Sequence, residues 1–60
     1  MDLDSKIEKC IMDLDSGEKV SRWFVLRNYN NLIDFINANK KYEHTKTELS
    51  LLYDMAKESL

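Results

Sequence analysis

Residues Val20 to Lys41 read VSRWFVLRNYNNLIDFINANKK and hold the only Trp, both Phe and one of the three Tyr of a 60-residue chain. Apolar burial is the main favourable term in folding, so any core this chain makes is built on that stretch. At about 100° per residue, Val25, Leu26, Tyr29, Leu32, Ile33 and Ile36 fall within one broad stripe, the width a core-facing helix needs. Val20, Trp23, Phe24 and Phe35 fall on roughly the opposite side, with no obvious internal partner in so short a chain. Asn28, Asn30 and Asn31 interrupt the pattern, and Asn is a poor helix-interior residue but a good cap. The expectation is a bend, or two helices over about Glu18 to Asn28 and about Asn31 to Lys40. Asn39 and the following Lys40 and Lys41 suit a helix C-terminus, where cations complement the dipole.

On the C-terminal side, Thr45 to Glu48 reads T-K-T-E, a capping box in which hydroxyl and carboxylate satisfy backbone donors at a helix start. Leu49, Leu52, Tyr53, Ala56 and Leu60 then form a clean stripe with Leu51 and Met55 beside it, predicting a helix from about Lys46 to Ser59. The linker Lys41 to His44 is short, so this helix is expected to fold back on its predecessor as a helical hairpin.

On the N-terminal side, Ser5 to Glu8 reads S-K-I-E, a second capping box. Leu3, Ile7, Cys10, Ile11 and Leu14 follow at helical spacing, predicting a helix from about Lys6 to Asp15 stopped by Ser16-Gly17. The same residues admit a rival reading, because Asp15-Ser16-Gly17-Glu18 also resembles a hairpin turn joining KCIMDL to KVSRWFVL. Those flanks do not alternate cleanly, which favours the helix. The fold class expected is therefore all-α, a small bundle of three to four helices ending in a helical hairpin within one domain over 1–60. The alternative is an N-terminal β-hairpin followed by two helices.

Composition agrees with helices: there is no Pro and a single Gly, so few sites offer the punctuation that multi-stranded sheets need. A chain this short buries only about 60% of its unfolded surface, and burial set against ordering entropy nearly cancels. A partner or self-association is the expected remedy. Net charge is −2, and it is unevenly spread. Six acids face three bases up to Lys19, one faces four from Val20 to Lys41, and four face two from Tyr42 onward. The central stretch is locally basic between acidic arms.

No residue set reaches a catalytic, metal or cofactor signature. Cys10 cannot form an internal disulfide as the only Cys. It sits on an apolar stripe with acidic neighbours, the opposite of the setting that activates a thiol. His44 has no second His or Cys at ligand spacing. Asp2, Asp4, Asp13 and Asp15 lack the Gly and terminal Glu of a calcium loop and read as a solvated face. The chain is accordingly expected to be neither an enzyme nor a cofactor carrier. Direct nucleic-acid binding is disfavoured, because a helix-turn-helix reading of the last two helices puts Glu48, Asp54 and Glu58 on the side that would meet phosphate. No segment is long and apolar enough to span a bilayer, the N-terminus lacks the features of a signal peptide, and the lone Cys fits a reducing interior. The expected location is cytoplasmic, in a bacterial or host cell.

The residues singled out for function are Arg22, Trp23, Phe24 and Arg27, with Phe35 as a further member of the off-stripe face. Trp and Arg dominate binding energy at interfaces, since they bury large area while keeping a polar handle. The bland reading is that the aromatics are simply core. The expected partner is another protein, a second copy of the chain being one form of it.

Leu32, Ile36, Asn39, Lys40, Tyr42, Glu43, Glu48, Leu49, Tyr53 and Ala56 form a pattern that resembles the middle of the Hha/YmoA family, with a one-residue gap between Lys40 and Tyr42. Those are small all-helical bacterial modulators that bind a nucleoid-associated silencer protein and alter gene expression without reading sequence themselves. The likeness covers about half the chain. It departs at Asp54, Met55, Ala56, Lys57 and Glu58, where the family has an Ala-Ala-Asp-His-Arg-like segment, and the family lacks an acidic arm like Met1 to Lys19. What the resemblance implies is a helical, protein-binding regulator. Marginal size, mixed charge, the absence of chemistry and the off-stripe Arg-aromatic patch lead separately to a small non-enzymatic regulator or adaptor, of the kind found among phage and plasmid modulators of host machinery, the alternative being a structural homodimer or assembly subunit.

Overall fold

In the computed structural model, which describes residues 2–60, the first helix starts earlier than its capping box predicts. Asp2 is the cap: its Oδ1 accepts the Ser5 backbone N–H at 2.8 Å, and α1 runs Leu3–Ser16. Ser5 lies inside the first turn, so the expected S-K-I-E box is not formed. Asp is as good a cap as Ser, and starting on it gives the helix an additional turn.

Gly17 ends α1 with φ of 80°. Its N–H bonds the Leu14 carbonyl at 3.2 Å, while the Glu18 N–H reaches the Asp13 carbonyl at 2.8 Å. This pair of bonds is the Schellman closure, which satisfies carbonyls that the helix end leaves free. The choice between helix and hairpin at Asp15 to Glu18 thereby falls to the helix, and no strand occurs among the described residues.

Ser21 caps α2, accepting the Phe24 N–H on Oγ at 3.3 Å, so α2 spans Arg22–Ala38 rather than starting at Glu18. The Asn-rich middle kinks the helix, with one helical stretch on each side of Asn28. Only Asn28 leaves helical geometry, at φ −124° and ψ 23°. Its Nδ2 donates to the Phe24 carbonyl at 3.1 Å and so satisfies an acceptor beside the kink. Asn39 closes α2 in the same way, its Nδ2 donating to the Phe35 carbonyl at 3.1 Å.

The linker is itself ordered, as a 3-10 helix over Lys40–Thr45 that leads directly into α3, Lys46–Glu58. Here the second capping box is also absent. Thr45 keeps helical dihedrals and makes no side-chain cap bond; it is buried, and its Oγ1 donates to the Tyr42 carbonyl at 2.7 Å. Because one helix type passes into the other without an extended residue, Thr45 never takes the conformation from which a hydroxyl caps.

The buried core takes Ile7, Cys10, Ile11 and Leu14 from α1, Val25, Leu32 and Ile36 from α2, and Leu49 and Ala56 from α3. Val20, Phe24 and Phe35 pack against this core, which corrects the expectation that they have no internal partner. The physical reason is that α2 is bracketed on two sides. Residues of α1 share grooves with Phe24 and with Phe35, while α3 takes the flank of Tyr29. A helix sandwiched in this way needs two apolar flanks. The Cα radius of gyration is 10.6 Å, close to the ~10 Å of a fully folded chain of this length.

Candidate partner-binding surface

Trp23 sits in the first turn of α2 and remains 59% exposed. Arg27, one turn later, places its guanidinium carbon 5.8 Å from the indole centroid. Such stacking holds an otherwise mobile Arg in one orientation over the ring face. Arg22 is exposed beside them. The ion pairs among the described residues are Lys9 with Asp13 at 2.9 Å, His44 with Asp15, and Lys46 with Glu43 at 3.9 Å. Neither Arg22 nor Arg27 takes part in any of them. The two guanidiniums therefore keep their donors free for an external acceptor.

An open groove runs beside the indole, lined by Arg22, Trp23, Leu26, Ala56, Ser59 and Leu60. It lies where the start of α2 meets the end of α3. Leu60 is 77% exposed, so the groove joins the indole, the aliphatic Leu26 and Leu60 and the Arg22 cation at one end of the bundle, with Arg27 stacked on the indole beside it.

Of the five residues singled out from sequence, the structure brings Arg22, Trp23 and Arg27 together at the surface. Phe24 is half-buried against the core next to α1, sharing a groove with Lys6, Lys9, Cys10 and Lys19. Phe35 is half-buried as well, tilted against Tyr42 with ring centroids 6.0 Å apart. Sequence reasoning missed Leu26 and Leu60 as groove residues. Periodicity puts Leu26 on the inward stripe, and the place of Leu60 beside Trp23 depends on the return of α3, which periodicity does not encode.

Elsewhere the chemistry is quiet. Cys10 is buried, and burial, followed by the nearby Asp13 charge, pushes its thiol up to about 11. His44 is exposed and meets Asp15 across the chain, tying the 3-10 segment to the end of α1. No group of three or more His, Cys, Asp or Glu that could hold a metal occurs among the described residues, and no helix among them is long and apolar enough to cross a membrane.

No protein-family model matches the chain, and neither a curated protein nor a solved structure matches it. Among the residues that carry the resemblance to the Hha/YmoA family, Leu32, Ile36, Leu49 and Ala56 are buried core positions.

Proposed function

We propose that this chain is a small non-enzymatic protein-binding module, acting as a regulator or adaptor inside the cell, and that it engages its partner through Trp23 and Arg27. The observation that carries this reading is the exposed indole with a guanidinium stacked on it, beside a groove lined by Leu26 and Leu60 and outside every ion pair among the described residues. Exposing a Trp forfeits the burial that a domain of this size most needs. Its presence at the surface is best accounted for by burial against something else. The resemblance to small helical modulators supports the same class of role, and the single buried thiol is in keeping with a reducing interior.

The test is capture from an extract of the native host by the immobilised protein, with mass spectrometry of what is retained. Trp23→Ala and Arg27→Glu are expected to lose the specific captures while keeping wild-type helicity and, at low protein concentration, the wild-type urea midpoint. Retention of the same proteins by both variants would overturn the reading. So would loss of helicity in both, because the patch would then be structural.

A further inference from the structure

On the outward face of α2 lie Trp23, Arg27, Asp34 and Ala38, all exposed. Arg27 and Asp34 are seven residues, and thus about 10 Å of helix rise, apart. Neither belongs to any ion pair among the described residues. Beside Asp34 a groove between α1 and α2 is lined by Asp4, Glu8 and Asp34, with Asn31 and Ser5, over the apolar Ile7 and Phe35. One half of this face is therefore cationic and aromatic, and the other half carries Asp34 beside an acidic groove with no cation among its lining residues, Lys46 meeting Asn37 Oδ1 at 3.0 Å at the far edge.

That order of charge selects the occupant. A uniformly acidic partner would satisfy Arg27 and be repelled at Asp34, Asp4 and Glu8, and a uniformly basic one would do the reverse. A surface fits if it carries the same two charges in the opposite order along its length, and a second copy of α2 running antiparallel does so. The register is centred between Asn30 and Asn31, both exposed. About that midpoint Arg27 falls opposite Asp34, and Trp23 falls opposite Ala38. In a two-fold interface each such contact occurs twice.

The geometry points to this face as the seam of a homodimer, with α2 packed antiparallel on α2 of a second copy. This rests on reading the Trp23 and Arg27 surface as a binding surface and names its partner. Each Arg27 guanidinium sits against Asp34 and the acidic groove of the other copy. Each indole lies over an Ala38, whose methyl group leaves room for the ring.

The test is sedimentation velocity of the full chain over a concentration series, using wild type, Arg27→Glu, Asp34→Arg and an equimolar mixture of the two variants. Circular dichroism confirms that each is folded. Wild type is expected to dimerise. Each variant alone faces two like-charge pairs across the seam and is expected to associate about a hundredfold more weakly. In the mixture both cross pairs become unlike charges: the introduced glutamate of one variant meets the introduced arginine of the other, and the native Arg27 meets the native Asp34. The dimer is therefore expected to return. Wild type that stays monomeric at high micromolar concentration would overturn the proposal, as would variants that dimerise alone or a mixture no tighter than its components. The host-capture experiment reads independently: if Trp23→Ala still loses a captured host protein while wild type is monomeric, the surface binds a different protein and the self-pairing falls alone.

Discussion

Tyr29 and Tyr53 stack with ring centroids 4.0 Å apart and planes 20° from parallel, and Tyr29 Oη lies 3.0 Å from Ser50 Oγ. The contact joins the residue just after the α2 bend to the middle of α3. Both rings are half-buried, so they supply packing area and a polar handle to the same seam. Tyr29→Phe keeps the stack and removes the hydroxyl bond, which is worth about 1 kcal/mol or less at a site water can reach. Tyr29→Ala removes both and is expected to cost about 3 kcal/mol, read from urea unfolding followed by circular dichroism. Equal losses for the two variants would place the stabilisation in the hydroxyl and contradict the stacking account.

Gly17 holds φ of 80° with nothing within 4 Å of where a Cβ would stand. The cost of Gly17→Ala is therefore backbone strain alone, about 1 kcal/mol, with no steric clash to add. Gly17→Asn is expected to cost less, since Asn tolerates the left-handed region better. Thermal unfolding of the three proteins ranks them, and an alanine variant as stable as wild type would contradict the ranking.

Cys10 makes stability pH-dependent at the alkaline end. Its ordinary value of 9.0 is raised to about 11 in the folded chain, so the folded state holds the thiol proton more tightly than the unfolded state does. The contribution is intact below about pH 9 and is lost as pH rises toward 11, by up to about 2 kcal/mol. Cys10→Ala is expected to flatten this part of the stability profile. At pH 8 the native thiol should react with an alkylating reagent only as fast as the protein opens, and reaction at the rate of an unfolded peptide would show the site to be accessible.

Trp23 and Leu32 are both large apolar residues of α2 with opposite expected behaviour. Leu32 is fully buried, and Leu32→Ala is expected to cost about 2–5 kcal/mol, enough to unfold much of so small a domain. Trp23→Ala is expected to change monomer stability by about 0.5 kcal/mol or less. Urea denaturation at low protein concentration, where self-association does not contribute, separates the two. A large loss for Trp23→Ala under those conditions would make it a structural residue.

Much of the fold is legible in the chain because helix patterning is local. The stripes Ile7, Cys10, Ile11 and Leu14, then Val25, Leu32 and Ile36, then Leu49 and Ala56 are the buried residues of the three helices, and the spacing of each is visible within a few turns. Gly17 is legible as a turn, but whether it stops a helix or joins two strands is not, because either use needs the same left-handed glycine. The capping boxes are not, because a cap depends on which residue leaves the helix. Asp2 displaces Ser5 by offering an earlier start, and the 3-10 segment holds Thr45 in helical geometry. Phe24 and Phe35 escape a periodicity reading because one helix considered alone has one inside, whereas α2 lies between two neighbours.

What the sequence determined by itself is the helical period of the central and C-terminal segments, the preference for an all-α class over an N-terminal hairpin and the candidacy of Arg22, Trp23 and Arg27, since these follow from residue type and period; that Ser16-Gly17 joins two helices was decided by the structure. Only the tertiary structure decided which aromatics are core. The docking of α1 gives Phe24 and Phe35 an inside, and the return of α3 sets Leu60 beside the groove at Trp23. It also left Arg27 and Asp34 on one exposed face outside every ion pair among the described residues. The reason is that helix neighbours lie three or four residues apart, so two groups seven apart do not meet on their own helix.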